Sequence, residues 1–121
     1  MRYDRNFDTL SRGDQDRLGR STVTIAGLGG LGGGVCEMLA RIGVGRLTGI
    51  DGDVFEDHNL NRQLFSTETL IGTPKALAAE ERVRSVNSEV AIQCHTQFLD
   101  SANTPRLIRG WYRLARAWLA F

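Results

Sequence analysis

The sequence predicts an α/β fold, a mostly parallel sheet with flanking helices, and three observations carry that expectation. The apolar run Thr22-Val23-Thr24-Ile25-Ala26 breaks straight into Gly27-Leu28-Gly29-Gly30-Leu31-Gly32-Gly33. Apolar residues then recur at helical spacing through Val35, Met38, Leu39 and Ile42 before Gly43 and Gly45. A second apolar run, Leu47 to Ile50, closes on Asp51. Strand, glycine turn, helix and strand in that order make one βαβ unit of a Rossmann-like sheet, since parallel neighbours need a long crossover between them.

Each element has a local cause. Ser11 caps a short helix running to Leu18, Asp14 completes a box-like start and Gly19 ends it. Strand 22 to 26, helix 30 to 42 and strand 46 to 51 follow. The polar stretch from Gly52 to Gly72 supports only short helical turns, and so long an excursion usually carries function. Thr73-Pro74 reads as an N-cap with proline at the first helical position, and Ala76, Ala79, Val83 and Val86 mark a core-facing stripe ending near Asn87. A strand is expected from Val90 to Phe98, alternating around Ile92, Cys94 and Thr96. Thr104-Pro105 then opens another short helix that Gly110 stops.

Composition narrows the class of protein. With 121 residues the chain is one domain at most, short for a doubly wound nucleotide-binding enzyme. Fifteen basic and 14 acidic residues leave a formal charge of +1, which argues against a nucleic-acid partner. No apolar run reaches membrane-span length, and Met1-Arg2-Tyr3-Asp4-Arg5 is too charged for a secretory signal, so a cytoplasmic protein without a membrane partner is expected. Cys36 and Cys94 form no Cys-x-x-Cys pair and read as buried small hydrophobes, and His58 and His95 lack ligand spacing, so no metal site is expected.

The glycine turn has its own chemistry. Gly27 permits a tight turn out of the strand, Gly29 and Gly30 let ligand oxygens approach bare backbone N–H groups, and Gly32 permits close packing of helix on strand. The helix that follows aims its positive end at an anion. Asp51, 24 residues after Gly27, stands where a carboxylate accepts both hydroxyls of a ribose. This spacing alone fits NAD, FAD, S-adenosylmethionine and ATP equally well.

Three further segments resemble one family. Asp51-Gly52-Asp53-Val54, His58-Asn59-Leu60-Asn61-Arg62-Gln63 and Ile71-Gly72-Thr73-Pro74-Lys75, with Arg2-Tyr3-Asp4-Arg5, the glycine run and Gly43-Val44-Gly45, are similar to the adenylation domain of the ThiF/MoeB/HesA family. The resemblance covers about residues 2 to 100. It implies that Arg62 and Lys75 contact ATP phosphates and that Asp51 holds the ribose. Gly27, Gly29, Gly30, Gly32, Asp53, Asn59, Asn61 and Gln63 then shape the nucleotide pocket. It also implies that Arg5 reaches into a neighbouring subunit's ATP site, hence a homodimer. The implied reaction adenylates the C-terminal glycine of a ubiquitin-like sulfur-carrier protein, using ATP and Mg²⁺.

The chain departs from the family after Asp100, where no further acid occurs. Relatives carry a fourth strand whose aspartate serves Mg²⁺; here Gly110 is followed by Trp111-Tyr112-Arg113-Leu114-Ala115-Arg116-Ala117-Trp118-Leu119-Ala120-Phe121. The expectation is therefore an incomplete fold: residues 1 to 110 as the N-terminal part of the adenylation domain, 111 to 121 as a tail outside it, and strand one left with an open apolar edge. An ATP-dependent tRNA-nucleoside dehydratase of the same superfamily and a non-catalytic nucleotide-binding module are the alternatives. A dehydrogenase ranks last, because Arg62 and Lys75 would then have no task.

Overall fold

Three parallel strands, β1 (Thr22–Ala26), β2 (Arg46–Ile50) and β3 (Ala91–His95), lie in the order β1-β2-β3 in a computed structural model that describes residues 1–108. The expected stop at Gly110 and the segment 111–121 lie outside the described residues. The register aligns Val23 with Leu47 and Ile92, and Ile25 with Gly49 and Cys94. Side chains two residues apart share a face, so these six line one side of the sheet. On that side pack α2 (Gly30–Ile42) and α3 (Lys75–Val86), which enclose a core of Ile25, Leu28, Cys36, Ala40, Leu47, Phe55, Phe65, Ala76, Ala79 and Val83.

Helix α1 (Arg12–Gly19) starts on the expected capping box, with the Ser11 hydroxyl accepting from the Asp14 N–H and the Asp14 carboxylate accepting from the Ser11 N–H, each at 3.0 Å. The excursion after β2 contains only the 3₁₀ turns Asp57–Asn59 and Glu68–Leu70. A one-turn helix, α4 (Thr104–Leu107), follows β3.

Four boundaries and faces differ from the sequence expectation. In α2 the buried residues are Gly33, Cys36, Glu37 and Ala40, whereas Leu31 is 83% and Met38 66% exposed. Helix α2 packs on α3, and its Leu31 and Val35 line the outer edge of β1, which has no outer neighbour among the described residues. Helical periodicity thus located the helix without fixing its buried face. Helix α3 begins at Lys75, not Pro74, because Pro74 forms an antiparallel bridge with Val54 and takes ψ 130°, so that it and not Thr73 is the N-cap. Strand β2 ends at Ile50, one residue before Asp51. Strand β3 ends at His95, not Phe98, because residues 97–99 cross the strand ends to share a cavity with Ala26 and Gly27.

The N-terminal segment is fastened to the opposite end of the sheet. Arg2 Nη1 donates to Asn87 Oδ1 at 2.6 Å, while Asn87 Nδ2 donates to the Tyr3 hydroxyl and the Ala40 carbonyl, each at 2.8 Å. Gly45 N donates to Leu18 O at 3.0 Å just before β2 begins. The 3₁₀ turn Asp4–Asp8, and Arg5 with it, is therefore held beside the N-terminal ends of the strands. Roughly 16 Å of strand separates that end from the glycine turn.

Candidate functional site

The glycine turn forms an open cradle of backbone at the end of β1. Gly27 has φ +88°, a left-handed conformation that only glycine adopts cheaply, and its N–H donates to Ile50 O at 2.8 Å, continuing the ladder one residue past β1. A Cβ on Gly32 would stand 2.8 Å from the Gly27 carbonyl carbon and closer still to its oxygen, so the first turn of α2 lies directly on the strand end. Gly29 is the N-cap of α2 and provides no side-chain cap. The N–H groups of that first turn are thus open to a ligand at the positive end of a 13-residue helix.

Asp51 borders this cradle and helps to hold it. Its N–H donates to His95 O at 3.1 Å, its Oδ2 accepts from Leu28 N at 2.8 Å, and its Oδ1 accepts from Asp53 N at 2.8 Å. A carboxylate oxygen accepts more than one bond, so each keeps capacity for a ligand hydroxyl. Asp51, Asp53, Ala26, Gly27, Phe98 and Leu99 wall a cavity of about 280 Å³ beyond the strand ends. Phe98 and Leu99 escaped the sequence reading, which took them as strand or left them unassigned. The available signal was their place just past the C-terminal end of a parallel strand, where open α/β sheets bind ligands. A second, open groove of about 430 Å³ runs along the outer edge of β1, lined by Val23, Ile25, Leu31, Val35 and the glycines.

The loop from residue 56 to 66 folds back over the glycines. A Cβ on Gly29 would meet Gln63 Nε2 at 3.5 Å, and one on Gly30 would meet Arg62 Cγ at 3.7 Å. Asn59 shapes the loop from within: its Oδ1 accepts from Glu56 N at 2.8 Å, its Nδ2 lies 3.2 Å from His58 Nδ1, and its carbonyl accepts from Arg62 N and Gln63 N. Arg62 is exposed and steadied through one nitrogen, Nη1, which donates to His58 O and Asn61 Oδ1, each at 3.0 Å. The remaining guanidinium donors have no partner among the described residues.

Lys75 opens α3, its N–H donating to Asp53 O at 3.0 Å. It is only 6% exposed, its ammonium lies 5.8 Å from the centroid of the Phe55 ring, and it makes no ion pair or side-chain hydrogen bond among the described residues. The geometry thus gathers Gly27, Gly29, Gly30, Gly32, Asp51, Asp53, Asn61, Arg62 and Gln63 around one end of the sheet, with Asn59 as their internal brace and Lys75 joined to them through its backbone bond to Asp53. Arg5 is not gathered there; it is exposed at the other end of the strands.

Neither cysteine offers a nucleophile at neutral pH. Burial above all pushes the Cys36 thiol up to about 11 and the Cys94 thiol up to about 12, away from the thiolate. Among the described residues no group of three or more His, Cys, Asp and Glu side chains could hold a metal ion. Within the same limits, no helix is long and apolar enough to cross a membrane.

Comparison with known proteins returns one family. The sequence profile of the ThiF family matches residues 3–116. The chain is 37% identical over 111 residues to the SAMP-activating enzyme E1 of Haloferax volcanii, covering 90% of this chain and 41% of that protein. It is 38% identical over 97 residues to the sulfur carrier protein adenylyltransferase of Thermus thermophilus, covering 80% and 36%. Among solved structures, the E. coli tRNA N6-threonylcarbamoyladenosine dehydratase in complex with ATP superposes with a TM-score of 0.84 at 28% identity, covering 87% of this chain and 43% of that one. The chain thus spans less than half the length of these relatives.

Proposed function

We propose, since the chain belongs to the ThiF family, that it forms the nucleotide-holding side of an ATP-dependent adenylating enzyme acting on the C-terminal glycine of a ubiquitin-like sulfur carrier. The observation that carries this reading is the fold-back of the loop that packs Gln63 on Gly29 and Arg62 on Gly30. That packing stations a guanidinium with unused donors over an uncapped helix start. Lys75, a largely buried residue, adds an ammonium that has no ion pair among the described residues. The phosphates of ATP are the anions that these two cations meet in this reading.

The chemistry asks little of the protein beyond placement. One oxygen of the carrier's carboxylate attacks the α-phosphorus, the bond from that phosphorus to the bridging oxygen breaks, and pyrophosphate leaves with its electrons. The product is an acyl adenylate. The glycine N–H groups and Arg62 stabilise charge on the phosphate oxygens, Lys75 adds to the local positive potential, and Asp51 fixes the ribose. Asn59, Asn61 and Asp53 keep the loop and the strand end in position. Mg²⁺, when bound, would neutralise charge on the phosphates. Arg5 stands too far from its own cradle, so its part in this reading is played in a second copy's site, in a two-fold dimer.

A second reading, activation of a carboxylate on a modified tRNA nucleoside, draws on the structural likeness to the E. coli dehydratase. The formal charge of +1 gives it no help from bulk electrostatics. ATP–pyrophosphate exchange separates the readings. Exchange stimulated by a carrier ending in Gly-Gly supports the first, and exchange stimulated only by modified tRNA supports the second. ATP binding without exchange under either condition leaves a non-catalytic nucleotide module, and preference for NADH over ATP in a titration would sink all three.

A further inference from the structure

We propose that Gln63 is a positioning residue for the hydrated divalent cation that accompanies a nucleoside triphosphate, its Oε1 accepting a hydrogen bond from a cation-bound water. The proposal rests on the nucleotide reading above and goes beyond it by assigning one side chain to the cation and not to the phosphates.

Gln63 is 7% exposed, and its Oε1 is the one buried side-chain polar atom among the described residues that lacks a hydrogen-bond partner. Its backbone is fully used in the loop, the N–H donating to Asn59 O at 2.9 Å and the carbonyl accepting from Ser66 Oγ at 2.6 Å. The side-chain amide takes no part in that work. Packing presses it against Gly29 at the uncapped start of α2, with Nε2 and Cδ at 3.5 and 3.6 Å from where a Cβ would be. A buried amide oxygen with no hydrogen bond costs stability that an apolar side chain of the same shape would not. Its presence at the mouth of an anion cradle therefore points to a ligand.

The atom left unpaired selects what that ligand offers. Phosphate oxygens only accept, so they cannot satisfy Oε1, and the ribose hydroxyls go to Asp51 in the same reading. A cation that rides on the phosphates and keeps several waters presents strongly polarised O–H donors at the right place.

The test is ATP titration of the full chain in Mg²⁺ and again in EDTA, reading the ratio of the two Kd values, with thermal melting as a check on folding. Gln63→Leu is expected to melt no lower than wild type and to lose about tenfold more ATP affinity in Mg²⁺ than in EDTA. Gln63→Glu retains the acceptor and is expected to keep or raise the ratio. Should Gln63→Leu fail to fold, Gln63→Met takes its place with the same expectation. A ratio unchanged in the apolar variant, or lost equally in Gln63→Glu, overturns the proposal and gives the amide to a phosphate or to Lys75 instead. A wild-type chain that binds ATP with no Mg²⁺ advantage overturns this proposal alone, whereas one that binds no ATP in either medium removes the nucleotide reading with it.

Discussion

Replacing Gly32 by alanine sets helix propensity against close packing, and the structure fixes which wins. In an open helix interior the change gains about 1 kcal/mol. At Gly32 the new carbon would stand 2.8 Å from the Gly27 carbonyl carbon and 3.5 Å from Ile25 Cγ2. Non-bonded carbon atoms rest at about 3.5–4.0 Å, and the Gly27 oxygen is nearer still, so the turn has to yield by more than about 1 Å. It cannot yield freely, because Gly27 N is bonded to Ile50 O and Leu28 N to Asp51 Oδ2. Overpacking costs about 1–3 kcal/mol, and losing one of those anchors adds about 1 kcal/mol more. The net expectation is a loss of about 1–3 kcal/mol together with weakened ATP binding. Gly34→Ala is the matched control: it lies in the same helix with nothing within 4 Å of the new carbon, and gains about 0.5–1 kcal/mol. Urea unfolding followed by circular dichroism reads both. Equal stability of the two variants would refute the close approach of helix and turn.

Arg62→Ala removes an exposed side chain held only through Nη1, so urea midpoints are expected to stay put while ATP affinity in a titration falls about tenfold or more. Lys75→Met removes an ammonium with no ion pair among the described residues, so no large loss of stability is expected, yet ATP affinity falls at least tenfold; a strongly destabilised variant would show that the ammonium has a structural partner. The two thiols make stability pH-dependent above neutrality. Their native pKa values, about 11 and about 12, lie above the ordinary 9.0, so the folded chain keeps protons that the unfolded chain releases. Stability therefore falls as pH rises from about 9 to about 11 and is unaffected by these groups below that window. Urea midpoints at pH 8 and pH 10.5 are expected to differ less in the Cys36→Ala, Cys94→Ala double variant than in wild type.

Most of the fold was legible because its signals are local. The Ser11 box, the β-branched run of β1, the glycines and the alanine-rich start of α3 each act within a few residues, and their elements formed where expected. The misplaced features depended on distant partners. Pro74 became a cap through its bridge to Val54, and β3 stopped where the chain turned back toward β1. The buried stripe of α2 was set by the helix beside it, and a large apolar side chain such as Met38 carries no mark of the neighbour it lacks.

The site divides in the same way. Sequence by itself determined the uncapped helix start, the carboxylate at the end of β2 and the supply of two cations nearby, because backbone conformation and residue chemistry are written position by position. Tertiary structure alone decided how they are used. Folding of the 56–66 loop laid Arg62 on Gly30 and left Gln63 Oε1 without a partner, turned Asn59 inward as a brace, and buried Lys75 against Phe55. Docking of Tyr3 on Asn87 fixed Arg5 at the far end of the strands. Burial and direction are properties of what a residue meets in space, and those meetings join residues up to 85 positions apart.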